Sequence, residues 1–299
     1  MIPALFLEWQ AEPAKPDGSA GSGGSGHQGH QGSQGSQGGP CGPAHPPAAD
    51  EQVRSAVSAA LRALHGLTGA WLFTPARARD PLLPAGSPPR LVVQAYFDSL
   101  DALALACTRA SPLCGLAGER APPALQGTRL IHQPMIARQY PVPAAPALHM
   151  SMVAAPDLEA GAAAPSDVAA AEAPAVPAAP GPTTPAADPT RCSYLVSYEG
   201  PADDLDAWLA HYLGGHPPLM ARLPGIRAIE VATRLDSPSF LPAARANCIL
   251  RNRVTFDDAA ALAAALASPI RREMRADYDA LPRFAGAVHH HVMLSTIIR

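Results

Sequence analysis

The chain of 299 residues carries 22 Lys and Arg against 25 Asp and Glu, a net charge of −3, with only 16% of residues charged. It has no basic stripe that would track a nucleic acid, and no run of about 18 apolar residues that would cross a membrane as a helix. Its five cysteines (Cys41, Cys107, Cys114, Cys192 and Cys248) are odd in number and form no CxxC pair, which argues against a disulfide framework or zinc knuckle and for a reducing cytoplasm. Lys15 is the sole lysine; with 35 Pro and abundant Ala and Arg, the composition is that of a GC-rich bacterial genome. Met1–Gln10 is apolar but carries Glu8 and no basic residue, so it does not read as a signal peptide.

Ala4–Trp9 reads as a strand. From about Glu12 to Ala49 follows a Gly/Ser/Gln insert, too polar to offset its ordering entropy. Its histidines, His27 and His30 among them, read as a solvated tract or a loose metal binder. Glu51–Leu64 is predicted helical, with Val53, Val57, Ala60, Leu61 and Leu64 on one face. Strands are predicted over Gly69–Thr74 and Leu91–Phe97, a helix over Ser99–Ala110 and a last strand over Arg129–Tyr140. An Ala/Pro-rich linker then runs from about 143 to 190.

Beyond it, Cys192–Tyr198 reads as a strand, broken by Gly200-Pro201. Asp203-Asp204 suits a helix N-terminus. Leu205, Trp208, Leu209, Tyr212 and Leu213 then form one apolar helical face, which Pro224-Gly225 ends. Ile226–Arg234 and Asn247–Phe256 are predicted strands around a loop at Asp236–Arg245. Asp257-Asp258 opens a helix through Ala259–Ala267, irregular towards Leu281, and Ala287–Ile297 is the last strand.

Both halves therefore read βαββαβ. Gly66 to Phe97 and Gly225 to Phe256 are each 31 positions apart, and the helix after each ends in Ser-Pro, at Ser111-Pro112 and Ser268-Pro269. Matched breaks over a whole unit point to a duplication. The predicted fold class is α+β: two tandem ferredoxin-like βαββαβ units, at 1–142 and 191–299. A lone unit leaves one sheet face bare, and the natural cover is its sibling. An intramolecular pseudo-dimeric α/β barrel is expected, with a cavity between the sheets.

From His211 to Ile226 the chain reads His-Tyr-Leu-Gly-Gly-His-Pro-Pro-Leu-Met-Ala-Arg-Leu-Pro-Gly-Ile. This resembles the EthD family: Tyr212, His216, Pro218, Leu219, Leu223, Pro224 and Gly225 sit at its motif positions, with Trp208 at the preceding aromatic. Phe256-Asp257 and Ala267-Ser268-Pro269 resemble its second helix region. The resemblance covers about a third of the chain. It implies the dimeric α/β-barrel fold and, from relatives, His, Tyr or acidic side chains acting as proton shuttles without a cofactor. Gly214-Gly215 depart from it by weakening the helix, at about 1 kcal/mol each. The first half lacks equivalents of Tyr212 and His216, so it resembles a degenerate repeat.

His216 is the leading catalytic candidate, since imidazole titrates near neutrality; it also reads as a helix-end His that caps carbonyls. His211 points about 100° away from Tyr212, towards solvent. In His289-His290-His291, alternation puts His290 with Val288 and Val292 on the helix-packing face. His289 and His291 are thereby turned towards the barrel, as acid/base partners or as a polar sheet face. A metal lacks a third ligand at any recognisable spacing, and no nucleotide, hydrolase or zincin motif occurs. Tyr212, Trp208, Tyr194 and Asn252 are substrate-binding candidates; either Cys192/Tyr194/Val196/Tyr198 or Ser193/Leu195/Ser197 faces the cavity.

Two functions follow, each with a small molecule as partner and no cofactor. The first is an enzyme, an isomerase or oxidoreductase, doing His-assisted proton transfer on an apolar or aromatic carbonyl compound. The second is a non-catalytic binding or accessory protein of the same fold. An interaction scaffold has no specific support, and further homodimerisation stays open.

Overall fold

The computed structural model describes residues 1–12, 47–78, 80, 87–142 and 190–298. Nearly all of the expected insert (12–49) and linker (143–190) lies outside the described residues.

The first half runs β1 (Ile2–Ala11), α1 (Pro47–Arg62), β2 (Leu67–Pro75), β3 (Leu91–Phe97), α2 (Leu100–Ala106) and β4 (Thr128–Tyr140). The second runs β5 (Arg191–Glu199), α3 (Leu205–Met220), β6 (Ile226–Arg234), the two-residue β7 (Ala244–Arg245), β8 (Cys248–Phe256), α4 (Ala259–Leu266), α5 (Ile270–Asp279) and β9 (Ala287–Ile298). Side-chain oxygens of Ser99, Asp204 and Asp258 cap α2, α3 and α4. Gly66 and Gly225 both have positive φ, 68° and 73°, at the turns that open β2 and β6. Immediately after them, β2 shifts register against β3 between Leu67 and Gly69, and β6 against β8 between Ile226 and Ala228.

The strands run in the order β1-β3-β2-β9-β5-β8-β6-β4, and β1 also pairs with β4, so eight antiparallel strands close a barrel. β2 is hydrogen-bonded to β9 and β4 to β6, so each half supplies the edge partners of the other. Closure removes sheet edges, and it overturns the expected cavity between facing sheets. An eight-stranded barrel is just wide enough to be filled by its own side chains or to hold one small ligand. Here Phe6, Trp71, Tyr96, Leu195 and Met293 fill it together with charged groups. The Arg251 guanidinium donates to Glu8 at 2.8 Å, Arg253 to Glu230 at 3.3 Å, and the Tyr96 hydroxyl to Glu230 at 2.8 Å. A void of about 10 Å³ beside Phe6, Leu195 and Arg251 holds at most one water.

The helices cover the outside. In the first half Leu5, Leu7 and Trp9 of β1 pack on Val57 and Leu61 of α1. α2 ends at Ala106, short of the expected Ser99–Ala110 helix, and after Ser111-Pro112 the chain turns into short 3-10 segments at Pro112–Leu116, Gly118–Arg120 and Pro123–Leu125. These bury Leu113, Leu116 and Leu125, and the Leu116 carbonyl accepts from Trp9 Nε1 at 3.1 Å. In the second half Ser268-Pro269 leads instead into α5, a regular helix with no fully buried residue.

Candidate functional site

A cavity of about 520 Å³ lies on the second half, between the outer face of its sheet and α3, α4 and α5. Tyr194, Val196 and Tyr198 of β5, Asn252 and Val254 of β8, and His290 of β9 line the sheet side. His216 and Met220 of α3, Leu262 of α4, and Arg271, Met274 and Tyr278 of α5 face them. The volume suits a small-molecule site, and the walls are mostly apolar with a few polar groups. The two alternation classes of β5 serve different spaces. Tyr194, Val196 and Tyr198 meet this cavity, while Leu195 joins the barrel interior and Ser193 bonds Thr255 and Ser295 there.

His216 is 5% exposed, on the buried stripe Trp208, Tyr212, His216 and Met220 that recurs every four residues along α3. Its Nδ1 lies 2.7 Å from Asp277 Oδ2 on α5. A carboxylate accepts, so Nδ1 is the N–H and Nε2 keeps the lone pair. Burial lowers the His216 pKa, partly opposed by Asp277. A neutral imidazole with a fixed tautomer and a carboxylate behind it is the arrangement of a general base. The other oxygen, Asp277 Oδ1, lies 3.4 Å from His211 Nε2, so His211, expected towards solvent, is half turned onto the same carboxylate.

Gly214 and Gly215 weaken α3, and Gly215 shows why one of them is needed. A Cβ there would stand 3.0 Å from Asp277 Oδ1, so the glycine admits the carboxylate between the two helices. Pro217 and Pro218 lie inside α3. Pro217 has no N–H for the Leu213 carbonyl four residues back. The Tyr140 hydroxyl, from β4 of the first half, donates to that carbonyl at 3.4 Å.

Trp208 and Tyr212 have no exposed surface and do not line the cavity; they pack on Tyr198, with ring centroids 5.2 and 5.3 Å away. Tyr212 also lies 4.8 Å from the His216 ring. The Asn252 amide donates to the Tyr212 hydroxyl, which is hydrogen-bonded to Tyr198. Burial, then Tyr198, raises the Tyr212 pKa, so its hydroxyl stays protonated. Of the four substrate-binding candidates, Tyr194 and Asn252 touch the cavity, whereas Trp208 and Tyr212 brace the Tyr198 wall from behind.

His289 and His291 share one sheet face, their rings 6.5 Å apart. His291 feels Glu8 and Arg251 of the barrel interior, and His289 Nε2 stands 3.6 Å from Glu199. Both border the cavity, but their rings are turned from the face that His216 occupies. The imidazole sharing that face is His290, 5.6 Å from the Tyr194 ring. Burial pushes His290 down to about 4.

At this end of the cavity the first half intrudes. Asp80 accepts from the Tyr194 hydroxyl, and from Arg271 Nη2 at 2.6 Å. Sequence reading missed Asp277, Arg271 and Asp80. For Asp277 a signal existed: Ile270, Met274 and Tyr278 recur every four residues and mark a helix of its own. Nothing local ties Asp80 to Arg271, which are 191 positions apart. Among the described residues no group of three or more His, Cys, Asp or Glu is placed to hold a metal, and no helix is long and apolar enough to cross a membrane.

No family model matches the chain, and no curated protein does. Among solved structures it is similar to an ethyl tert-butyl ether degradation (EthD) family protein from Bacillus halodurans, at 21% identity over 34% of this chain and 95% of that one, TM-score 0.29. It is also similar to an anthrone oxidase-like protein, at 13% identity over 99% of this chain and 91% of that one, TM-score 0.46. A member of the EthD family, which the second half resembles in sequence, is thus among the solved structures that this chain matches.

Proposed function

We propose that the cavity binds a small aromatic or apolar carbonyl compound and that His216 moves a proton on it. The observation that carries this reading is the His216–Asp277 pair at 2.7 Å, set in the wall of a mostly apolar cavity. Nε2 takes a proton from the carbon beside the ligand carbonyl. Asp277 holds the ring and stabilises the imidazolium that forms. Tyr198 and Asn252 line the cavity beside it, both held from behind by the Tyr212 hydroxyl. This chemistry belongs to isomerases and is the opening step of oxidations on such compounds. We further read the two halves as tandem ferredoxin-like repeats, supported by the paired glycine turns and register shifts that open β2 and β6. On that reading the first half is the repeat whose site has been filled.

The test is deuterium incorporation from D2O into 2-tetralone, at the carbon beside its carbonyl. The wild-type protein is expected to speed exchange over buffer, and His216→Ala to cut the enhancement by about 100-fold or more. The rate should climb as pH rises through the lowered His216 pKa and level off above it. Exchange untouched by His216→Ala removes the base from the proposal.

A further inference from the structure

Arg271 sits in the cavity wall near the start of α5. Its Nη2 is spent on Asp80, but its Nη1 is buried and has no hydrogen-bond partner. Nη1 itself is shielded from the cavity, but the rest of the Arg271 side chain, 19% exposed, lines that mostly apolar cavity. Asp80 is contributed by the first half, and its carboxylate is 5% exposed. It also fixes the Tyr194 hydroxyl beside His290.

We propose that Arg271 is the ligand-anchoring donor of this cavity and that Asp80 sets its preference for an uncharged oxygen acceptor, a carbonyl or a phenol, over a carboxylate. This rests on the reading of the cavity as a ligand site. Asp80 already balances the Arg271 charge. A ligand carboxylate would therefore add a second anion to one cation, away from water, and be disfavoured. A neutral oxygen accepts from the guanidinium that lines the cavity with no charge imbalance. Asp80 is in this sense a positioning residue, and through it the first half acts on specificity in the second.

The test is calorimetric titration of the full chain with three probes of similar size: 2-tetralone (a carbonyl), tetralin (no acceptor) and 2-naphthoate (an anion). The wild-type protein is expected to bind 2-tetralone about 10-fold or more tighter than tetralin, the discrimination a hydrogen bond to a charged donor provides, and to bind 2-naphthoate weakest. Arg271→Met should erase the 2-tetralone preference and leave tetralin unchanged. Should that variant fail to fold around a stranded Asp80, the double variant D80N/R271M removes both charges and is expected to give the same result. Asp80→Asn leaves the Arg271 charge unbalanced, and 2-naphthoate should become the tightest of the three. Tetralin binding as well as 2-tetralone in the wild type, or Asp80→Asn leaving 2-naphthoate weakest, would overturn the role of Arg271 and Asp80 while the cavity reading stands. A folded protein that binds none of the three overturns both.

Discussion

The two glycines before His216 illustrate how one residue can trade stability for a site. Glycine inside a helix costs up to about 1 kcal/mol relative to alanine. At Gly214 a Cβ would meet nothing within 4 Å, so Gly214→Ala is expected to raise stability by about 1 kcal/mol and leave tetralone exchange unchanged. At Gly215 the Cβ would press on Asp277 Oδ1. Gly215→Ala should gain less in urea denaturation and slow the exchange, by moving the carboxylate off His216. Equal rates in the two variants would show that the 3.0 Å approach is not needed. Asp277→Asn, which keeps the shape and loses the charge, should slow exchange on the order of a hundredfold.

At the scale of the element, β9 places its three histidines on two faces, and burial holds His290 and His291 below their ordinary pKa. In the unfolded chain these imidazoles take up protons near 6.5, whereas folded His290 resists until about 4. A group whose folded pKa is depressed contributes stability that is whole above its unfolded pKa and lost as pH falls. The melting temperature should therefore drop between pH 6.5 and about 4, with a His290 share on the order of 3 kcal/mol. His290→Gln should flatten that slope, and an unchanged slope would put His290 in water rather than in the wall. The face assignment in β9 was legible in the sequence because Val288 and Val292 flank His290 with period two. The split of α4 from α5 was legible only in part: Pro269 marks the break, but the following residues are charged and obscure their periodicity. The 3-10 segments after Ser111-Pro112 were not legible, since they carry no 3.6-residue pattern.

For the whole molecule, the order of the elements along the chain was within reach of the sequence, and the joining of the sheets and the location of the cavity were not. Alternation and matched turns in the two halves identify the strands, but they do not say whether two sheets stack or join at their edges. The join is made by β2 with β9 and β4 with β6, and it is sealed inside by the Glu8–Arg251 ion pair and by the hydrogen bonds of Gln94 and Tyr96 to Glu230, which cross between the halves. Burial alone would raise the Glu8 carboxyl, but Arg251 and the bond from Gln10 outweigh it and hold it below its ordinary value. Glu230 is 2% exposed and bonds Tyr96 and Gln94 of the other half. Glu230→Gln strands the Arg253 charge in the barrel and should cost about 3–5 kcal/mol. The double replacement of Glu230 and Arg253 by Leu and Met should recover much of the loss. Because the network spans both halves, urea is expected to unfold the wild type in one transition; two separate transitions would show halves that do not depend on each other.

The helix-side cavity and the barrel interior predict different positions for a bound ligand. A crystal structure of the protein with 2-tetralone should show the ligand between β8 and α5, its acidic carbon facing His216 Nε2 and its oxygen within hydrogen-bond reach of the Arg271 guanidinium. Ligand density inside the barrel, beside Arg251 and Glu8, would contradict the assignment of the site to the helix side of the second half.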